Sequence, residues 1–296
     1  MDESVIIKNI ATSLDNDYIG DDCAYLKDLG IVITQDNLVE NIHFKREWYT
    51  PYQLGYKSAV VNISDILASG ACPAYLTLGL SMPSYLGNDF VNEFIQGMKD
   101  GSYGAEVCGG DITGSKNGLF ISVTAVGSVN NRRISSRKNA KEGYVIVVSG
   151  EHGTSSAGLR ELLNSGTRED LIISHLMPVL DIDFSEKISK NIKSDYAMMD
   201  SSDGLGDALF KIAEASGVKI EADYSLIPHK QELSYNDVIL GGEDYKLIAA
   251  VPPDFAEMYD LTVIGNVLPY DGIRLNISGK CYKSYSELNV YKHFED

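Results

Sequence analysis

Acidic side chains recur in this chain where apolar stretches give way to a turn. Asp21-Asp22 follows Gly20, Asp36 follows Thr34-Gln35, and Asp111 follows Gly109-Gly110. Asp200 and Asp203 bracket Ser201-Ser202, and Glu243-Asp244 follows Gly241-Gly242. Each alone has a plain explanation, because Asp is common in turns and at helix starts. Asp65 is different. It lies in a helical pattern between Val60-Val61-Asn62-Ile63 and Ile66-Leu67-Ala68, where every neighbour predicts burial. A buried carboxylate without a partner is costly or changes protonation state. No Lys or Arg lies within one helical turn, Lys57 being two turns away, and Asn62 shares its face. A metal ion is the economical partner. Hard divalent cations such as Mg²⁺ take oxygen ligands and work with substrate phosphates. Five or six converging carboxylates would suit several such ions along a triphosphate.

The phosphate cradle is not one of the common ones. Gly109-Gly110-Asp111-Ile112-Thr113-Gly114-Ser115-Lys116 superficially resembles a P-loop, but that motif ends Gly-Lys-Ser/Thr and here Ser precedes Lys. The protein-kinase motif set is absent too. Asp200-Ser201-Ser202-Asp203-Gly204 is more informative, since it stands between a strand pattern and a helix pattern. Amides and the positive dipole end at a helix N-terminus favour anions, while the two aspartates bring metal. No acid–base catalyst stands out, and none is assigned.

The elements that must position these groups alternate without a βαβ rhythm, which predicts an α+β protein. Gly30 to Thr34 reads as a buried strand ending at polar Gln35-Asp36. Thr50-Pro51 starts a helix that runs to Gly70. A second helix from about Asn88 places Phe90, Phe94, Ile95 and Met98 on one face. Phe120 to Val129 reads as a strand, and Asn130 to Glu142 as a basic, polar linker between two lobes. Strand and helix patterns resume at Tyr144–Val148 and Ser155–Asn164, and again at Tyr196–Met199 and the helix that Gly217 caps. The boundary falls near residue 138, giving lobes 1–138 and 139–296.

The 296 residues are 44% hydrophobic and carry a formal net charge of −17, with no basic footprint for nucleic acid. Four cysteines form no CxxC pair, which argues against a zinc ribbon and for reduced cytosolic thiols. Met1-Asp2-Glu3-Ser4 has no secretory character. The uncharged stretch from Ile66 to Asn88 is broken by Pro73, Pro83 and three glycines, so no membrane span is expected. A cytoplasmic enzyme is the expectation.

In order along the chain, these segments resemble the thiamine-monophosphate kinases, in the superfamily of aminoimidazole-ribonucleotide synthetase and selenophosphate synthetase. The matching stretches are Gly20–Ala24, Thr34–Phe44, Lys57–Asp65, Gly109–Thr113, Asp200–Leu205, Gly241–Tyr245 and Tyr291–Phe294. The resemblance implies an N-terminal lobe that binds metal and ATP and whose mixed sheet pairs with a second subunit. It also implies a C-terminal α/β lobe that completes the active site, in a homodimer. It implies magnesium ligands at Asp22, Thr34, Asp36, Asp65, Asp111, Asp200 and Asp203. Nucleotide contacts fall on Gly110, Asp111, Arg137 and Ser202, and substrate contacts on His43, Glu243 and Tyr291. Arg137 has support of its own, because a planar guanidinium suits phosphate and this one stands beside Arg132, Arg133 and Lys138. Gln35 stands where the family usually has a hydroxyl residue, and Tyr144 where it usually has aspartate.

The implied activity is ATP-dependent phosphorylation of thiamine monophosphate to the diphosphate. An aminoimidazole-ribonucleotide synthetase-like enzyme is the alternative, and the His43-Phe44 and Tyr291–Phe294 segments favour the kinase. A selenophosphate synthetase would need a reactive Cys within Met1 to Gly20, which holds none. A non-enzymatic cation buffer would need calcium-loop spacing, which is absent.

Overall fold

The computed structural model describes residues 3–14 and 18–290. Helix α1 (Glu3–Leu14) precedes strands β1 (Ala24–Leu26) and β2 (Ile31–Val39). Helix α2 (Pro51–Ala68) then leads through β3 (Cys72–Met82), α3 (Gly87–Gly101), β4 (Glu106–Gly114) and β5 (Phe120–Ser128). These five strands form one sheet in the order β1-β2-β5-β3-β4, antiparallel except for the β3–β4 pair. β5 alternates as a strand with one face on the core should. Ile121, Val123 and Ala125 are buried, while Ser122, Thr124 and Val126 are partly exposed and Phe120 is exposed on the other face.

The rest of the chain builds a second sheet. Its elements are β6 (Val145–Val148), α4 (Thr154–Leu163), α5 (Glu169–Leu176), α6 (Ile182–Asn191), β7 (Ala197–Asp200), α7 (Leu205–Ser216) and β8 (Lys219–Ala222). They continue with α8 (Tyr235–Leu240), β9 (Leu247–Val251), α9 (Pro253–Met258), β10 (Thr262–Leu268), β11 (Leu275–Ile277) and β12 (Lys280–Tyr282). The strand order is β12-β11-β8-β10-β6-β9-β7, with β11–β8 the parallel pair. β7 and β9 are buried throughout, as the apolar runs Ala197–Met199 and Leu247–Val251 require. Val147, Met198 and Ala249 on one face join the core around α2, and Ile146, Met199 and Ile248 on the other meet Leu205 and Leu209 of α7. α2 thus lies between the two sheets.

Local chemistry explains why α2 sits so firmly. The Thr50 hydroxyl accepts from Gln53 N and the Gln53 side chain accepts from Thr50 N, closing a capping box. Against α3 the two backbones nearly touch. A Cβ on Gly97 would lie 1.8 Å from the Tyr52 carbonyl oxygen, and one on Gly55 1.9 Å from that of Phe94.

Three expectations need correction. β2 does not stop at Thr34; Gln35, Asp36 and Asn37 stay paired with Thr124, Val123 and Ser122 of β5, because ladder hydrogen bonds outweigh their polarity. Asp111 is not in a turn but within β4. Ile95 is 39% exposed, since at 3.6 residues per turn it lies about 140° around α3 from Phe90, off the Phe90-Phe94-Met98 stripe. The segment 130–142 is also firmly tied: Arg133 N, Ser135 N and Ser136 N donate to the carbonyls of Ser189, Ser69 and Tyr196.

Candidate active site

α2 presents polar groups to β2 of the first sheet and to the end of β7 in the second. Asp65 accepts a 2.6 Å hydrogen bond from the Thr34 hydroxyl of β2. Asn62 accepts from Asp36 N at 3.0 Å, and the Ser64 hydroxyl donates to Asp200 Oδ2 at 2.5 Å. Lys57 stands two turns before Asp65 on the same helix. Asp22 arrives from the loop before β1 and Asp200 from the end of β7. One carboxylate oxygen from each of Asp22, Asp65 and Asp200 lies within 4.8 Å of the others. Asp36 completes the group, and its Oδ2 is buried with no hydrogen-bond partner among the described residues.

Burial and neighbouring like charge raise three of these carboxyls, those of Asp36, Asp65 and Asp200. Burial first, then Asp36, Asp200 and Asp22, push the Asp65 carboxyl well above the ordinary carboxylate range. Burial, with Asp22 and Asp203 adding to it, takes Asp36 to about 6, and burial with Asp22 takes Asp200 to about 7. Carboxylates packed this way call for a cation. The donor set is all oxygen and includes an orphaned one, so it fits a hard divalent ion and not a thiolate- or imidazole-seeking metal.

Arg137 borders the cluster. Its Nη2 donates to Asp22 Oδ1 at 2.9 Å and its backbone N to Asp21 Oδ1 at 2.7 Å, while its buried Nε has no partner among the described residues. Asp203 stands apart from the triad, 44% exposed and bonded to Lys211 Nζ at 3.1 Å. Gly110 and Asp111 are farther off. Asp36, Val123, Leu78 and Gly110 occupy one row of the sheet, so Gly110 is three strand spacings from Asp36, about 14 Å. Asp111 is exposed on β4, an edge strand.

Opposite the acids, Glu243 N donates to Ser202 O at 2.7 Å, holding the 241–246 segment on the Asp200–Asp203 loop. His43 Nδ1 accepts from Val39 N at 2.9 Å, which leaves the proton of a neutral ring on Nε2. His43 also acts electrostatically on Glu243. Tyr291 lies outside the described residues. An acidic cluster, an arginine and a carboxylate–histidine pair are thus linked through the Asp200–Asp203 loop.

The family profile for "AIR synthase related protein, N-terminal domain" matches residues 20–129. The thiamine-monophosphate kinase of Aquifex aeolicus is 34% identical over 288 residues, 90% of this chain and 92% of its own length. That of Synechococcus elongatus is 32% identical over 285 residues, 88% and 87% of the two. The chain belongs to the thiamine-monophosphate kinase family. The solved structure "AaThiL complexed with AMPPCP and TMP" superimposes with a TM-score of 0.87 at 32% identity, covering 96% of this chain and 95% of that one. The mixed α+β architecture is that of the family, and the synthetase-like alternative is disfavoured.

Within this kinase fold, sequence reasoning overlooked the groups that hold the acids. Ser64 reads as an ordinary helix residue and Asn62 only as a face-mate of Asp65, and the folded contacts show the first orienting Asp200 and the second the β2 backbone. Lys211, which bonds Asp207 at 2.8 Å as well as Asp203, was equally silent. Gln35 bonds Ser122 and Thr124 on the face of the sheet away from α2, so its departure from the family's hydroxyl leaves the cluster untouched. The missed signal was a run of polar residues in α2 at positions 57, 58, 62, 64 and 65, inside an otherwise apolar helix.

Proposed function

We propose that this kinase transfers the γ-phosphoryl group of ATP to the phosphate of thiamine monophosphate, giving thiamine diphosphate, with Mg²⁺ held by the acidic cluster. The convergence of Asp22, Asp65 and Asp200 within 4.8 Å, bordered by Arg137, carries the reading. The relative bound to AMPPCP and TMP supports the two substrates. Asp22, Asp36, Asp65 and Asp200, with Thr34, would hold metal directly; Asp203 would join them on leaving Lys211, and Asp111 would act from the β4 edge. Bound Mg²⁺ supplies charge neutralisation on the transferring phosphoryl group.

The chain's own groups do the rest. Arg137, kept charged by Asp22 despite its burial, offers its Nε, unpartnered among the described residues, and its remaining donors to nucleotide phosphate. Gly110 and Ser202 complete the nucleotide contacts. Glu243, His43 and Tyr291 hold the acceptor. The accepting phosphate is already anionic near neutral pH, so no general base is needed, and catalysis rests on positioning and electrostatics.

The division at residue 138 and the cytoplasmic location belong to the same reading, as does a homodimer formed through the open face of the first sheet. Among the described residues no helix is long and apolar enough to cross a membrane. Incubation with ATP, Mg²⁺ and thiamine monophosphate should yield the diphosphate, and EDTA should abolish it. Turnover undiminished in EDTA, or no diphosphate with Mg²⁺ present, would end the proposal.

A further inference from the structure

Lys57 is 1% exposed, and its ammonium uses all three donors. It reaches Tyr49 OH at 3.0 Å, the His175 carbonyl at 2.9 Å and Glu243 Oε2 at 3.2 Å. Tyr49 precedes α2, whereas His175 in α5 and Glu243 belong to the second half of the chain. Among the described residues Glu243 is its only carboxylate partner, so the buried charge of Lys57 depends on that side chain. The dependence runs both ways. Glu243 sits at φ 64°, a left-handed conformation unusual for glutamate, with its N–H on Ser202 O. Its Oε2 is fixed by Lys57 and lies 3.4 Å from His175 Nδ1, while Oε1 has no hydrogen-bond partner among the described residues.

We propose that Lys57 is the positioning residue for acceptor recognition: it fixes Oε2 of Glu243 so that Oε1 is presented to a hydrogen-bond donor on the cationic thiamine moiety. This rests on the reading of Glu243 as an acceptor contact. The described titratable groups facing Glu243 are Lys57 of α2, Tyr49 before it, His175 of α5, His43 after β2, and Tyr245 two residues on. Burial alone would push the Glu243 carboxyl up; the Lys57 charge above all outweighs it and leaves the carboxyl below its ordinary range. His175 is held neutral near neutral pH, at about 4, by burial and by Lys57. Lys57 is therefore the cation that keeps Glu243 ionised. ATP has no contact with this pair in the proposed arrangement, so the two substrates should respond differently.

The test is a double-mutant cycle read through the two KM values. Lys57→Gln keeps donors for Tyr49 and the His175 carbonyl but loses the charge; Lys57→Met serves if that variant does not fold. Each substitution, and Glu243→Gln, should raise KM for thiamine monophosphate by at least about tenfold, the worth of a hydrogen bond to a charged group. KM for ATP should stay within about twofold. The double variant should be no worse than Glu243→Gln alone, and Lys57→Arg should recover most of the loss.

Without Lys57 the Glu243 carboxyl titrates higher, so the variant-to-wild-type KM ratio should climb as pH falls from 8 to about 5.5. The substrate's own phosphate titrates in both assays and cancels in that ratio. In the Glu243→Gln background the ratio should be flat. If Glu243→Gln raises KM and the Lys57 variants do not, the proposal alone falls. If Glu243→Gln is itself without effect, the acceptor assignment falls and the proposal with it. Additive losses, or equal losses for both substrates with a flat pH ratio, would leave Lys57 a structural ion pair only.

Discussion

Burial, then Asp36, Asp200 and Asp22, hold the Asp65 carboxyl well above its ordinary range, so folding without metal compresses like charges. Asp65→Asn should cost at least about a hundredfold in kcat, since electrostatic stabilisation of this kind commonly supplies ~3 kcal/mol or more. Near-wild-type turnover would remove Asp65 from the metal site. In the metal-free protein the effect on stability has the opposite sign. Asp65 binds its proton more tightly folded than unfolded, so its ionised form destabilises the folded chain above the raised value. That penalty fades as pH falls toward the unfolded carboxylate value near ~4. Metal-free Asp65→Asn should therefore melt above wild type at pH 8, and the gap should close as the pH is lowered in calorimetry. Asp65 was legible in the sequence because a carboxylate within an apolar helix has few excuses. Lys57 was not, because its partner Glu243 lies 186 residues away and each residue alone looks like a surface charge.

At the scale of elements, α2 carries the site, and its placement is set by backbone contact with α3. Ala at position 97 would thrust a methyl to 1.8 Å from the Tyr52 carbonyl, with no flexible side chain to move aside. Gly97→Ala should cost about 1–3 kcal/mol in denaturant unfolding, as overpacking does. It should also lower activity, by shifting the helix that bears Asp65. An unchanged unfolding midpoint would mean that the helices can separate freely. Patterns of capping and apolar periodicity made this helix readable: Thr50-Pro51 opens it in the structure as in the sequence. The full span of β2 was not readable, since Gln35, Asp36 and Asn37 look like loop and become strand only through β5. A ladder between residues 36 and 123 leaves no trace in local composition.

At the scale of the whole molecule, the open face and edge of the first sheet ask for a cover. Tyr75 is 49% and Phe120 42% exposed on that face, and the β4 edge from Glu106 to Gly114 is exposed almost throughout. Unpaired edges and exposed aromatics invite association. Light scattering at micromolar concentration should give twice the chain mass, and a monomer there would count against the homodimer. The basic segment after β5 reads in the sequence as a separator, yet in the fold it is pinned by hydrogen bonds to Ser69, Ser189 and Tyr196. Because α2 is walled by a sheet on either side, neither half of the chain carries a complete interior of its own. A fragment ending at residue 138 would leave bare to water the flank of α2 that Met198 and Ala249 normally cover. The halves should therefore melt together, as a single cooperative transition, and a nucleotide gripped at one end of α2 should protect amides in both against hydrogen exchange.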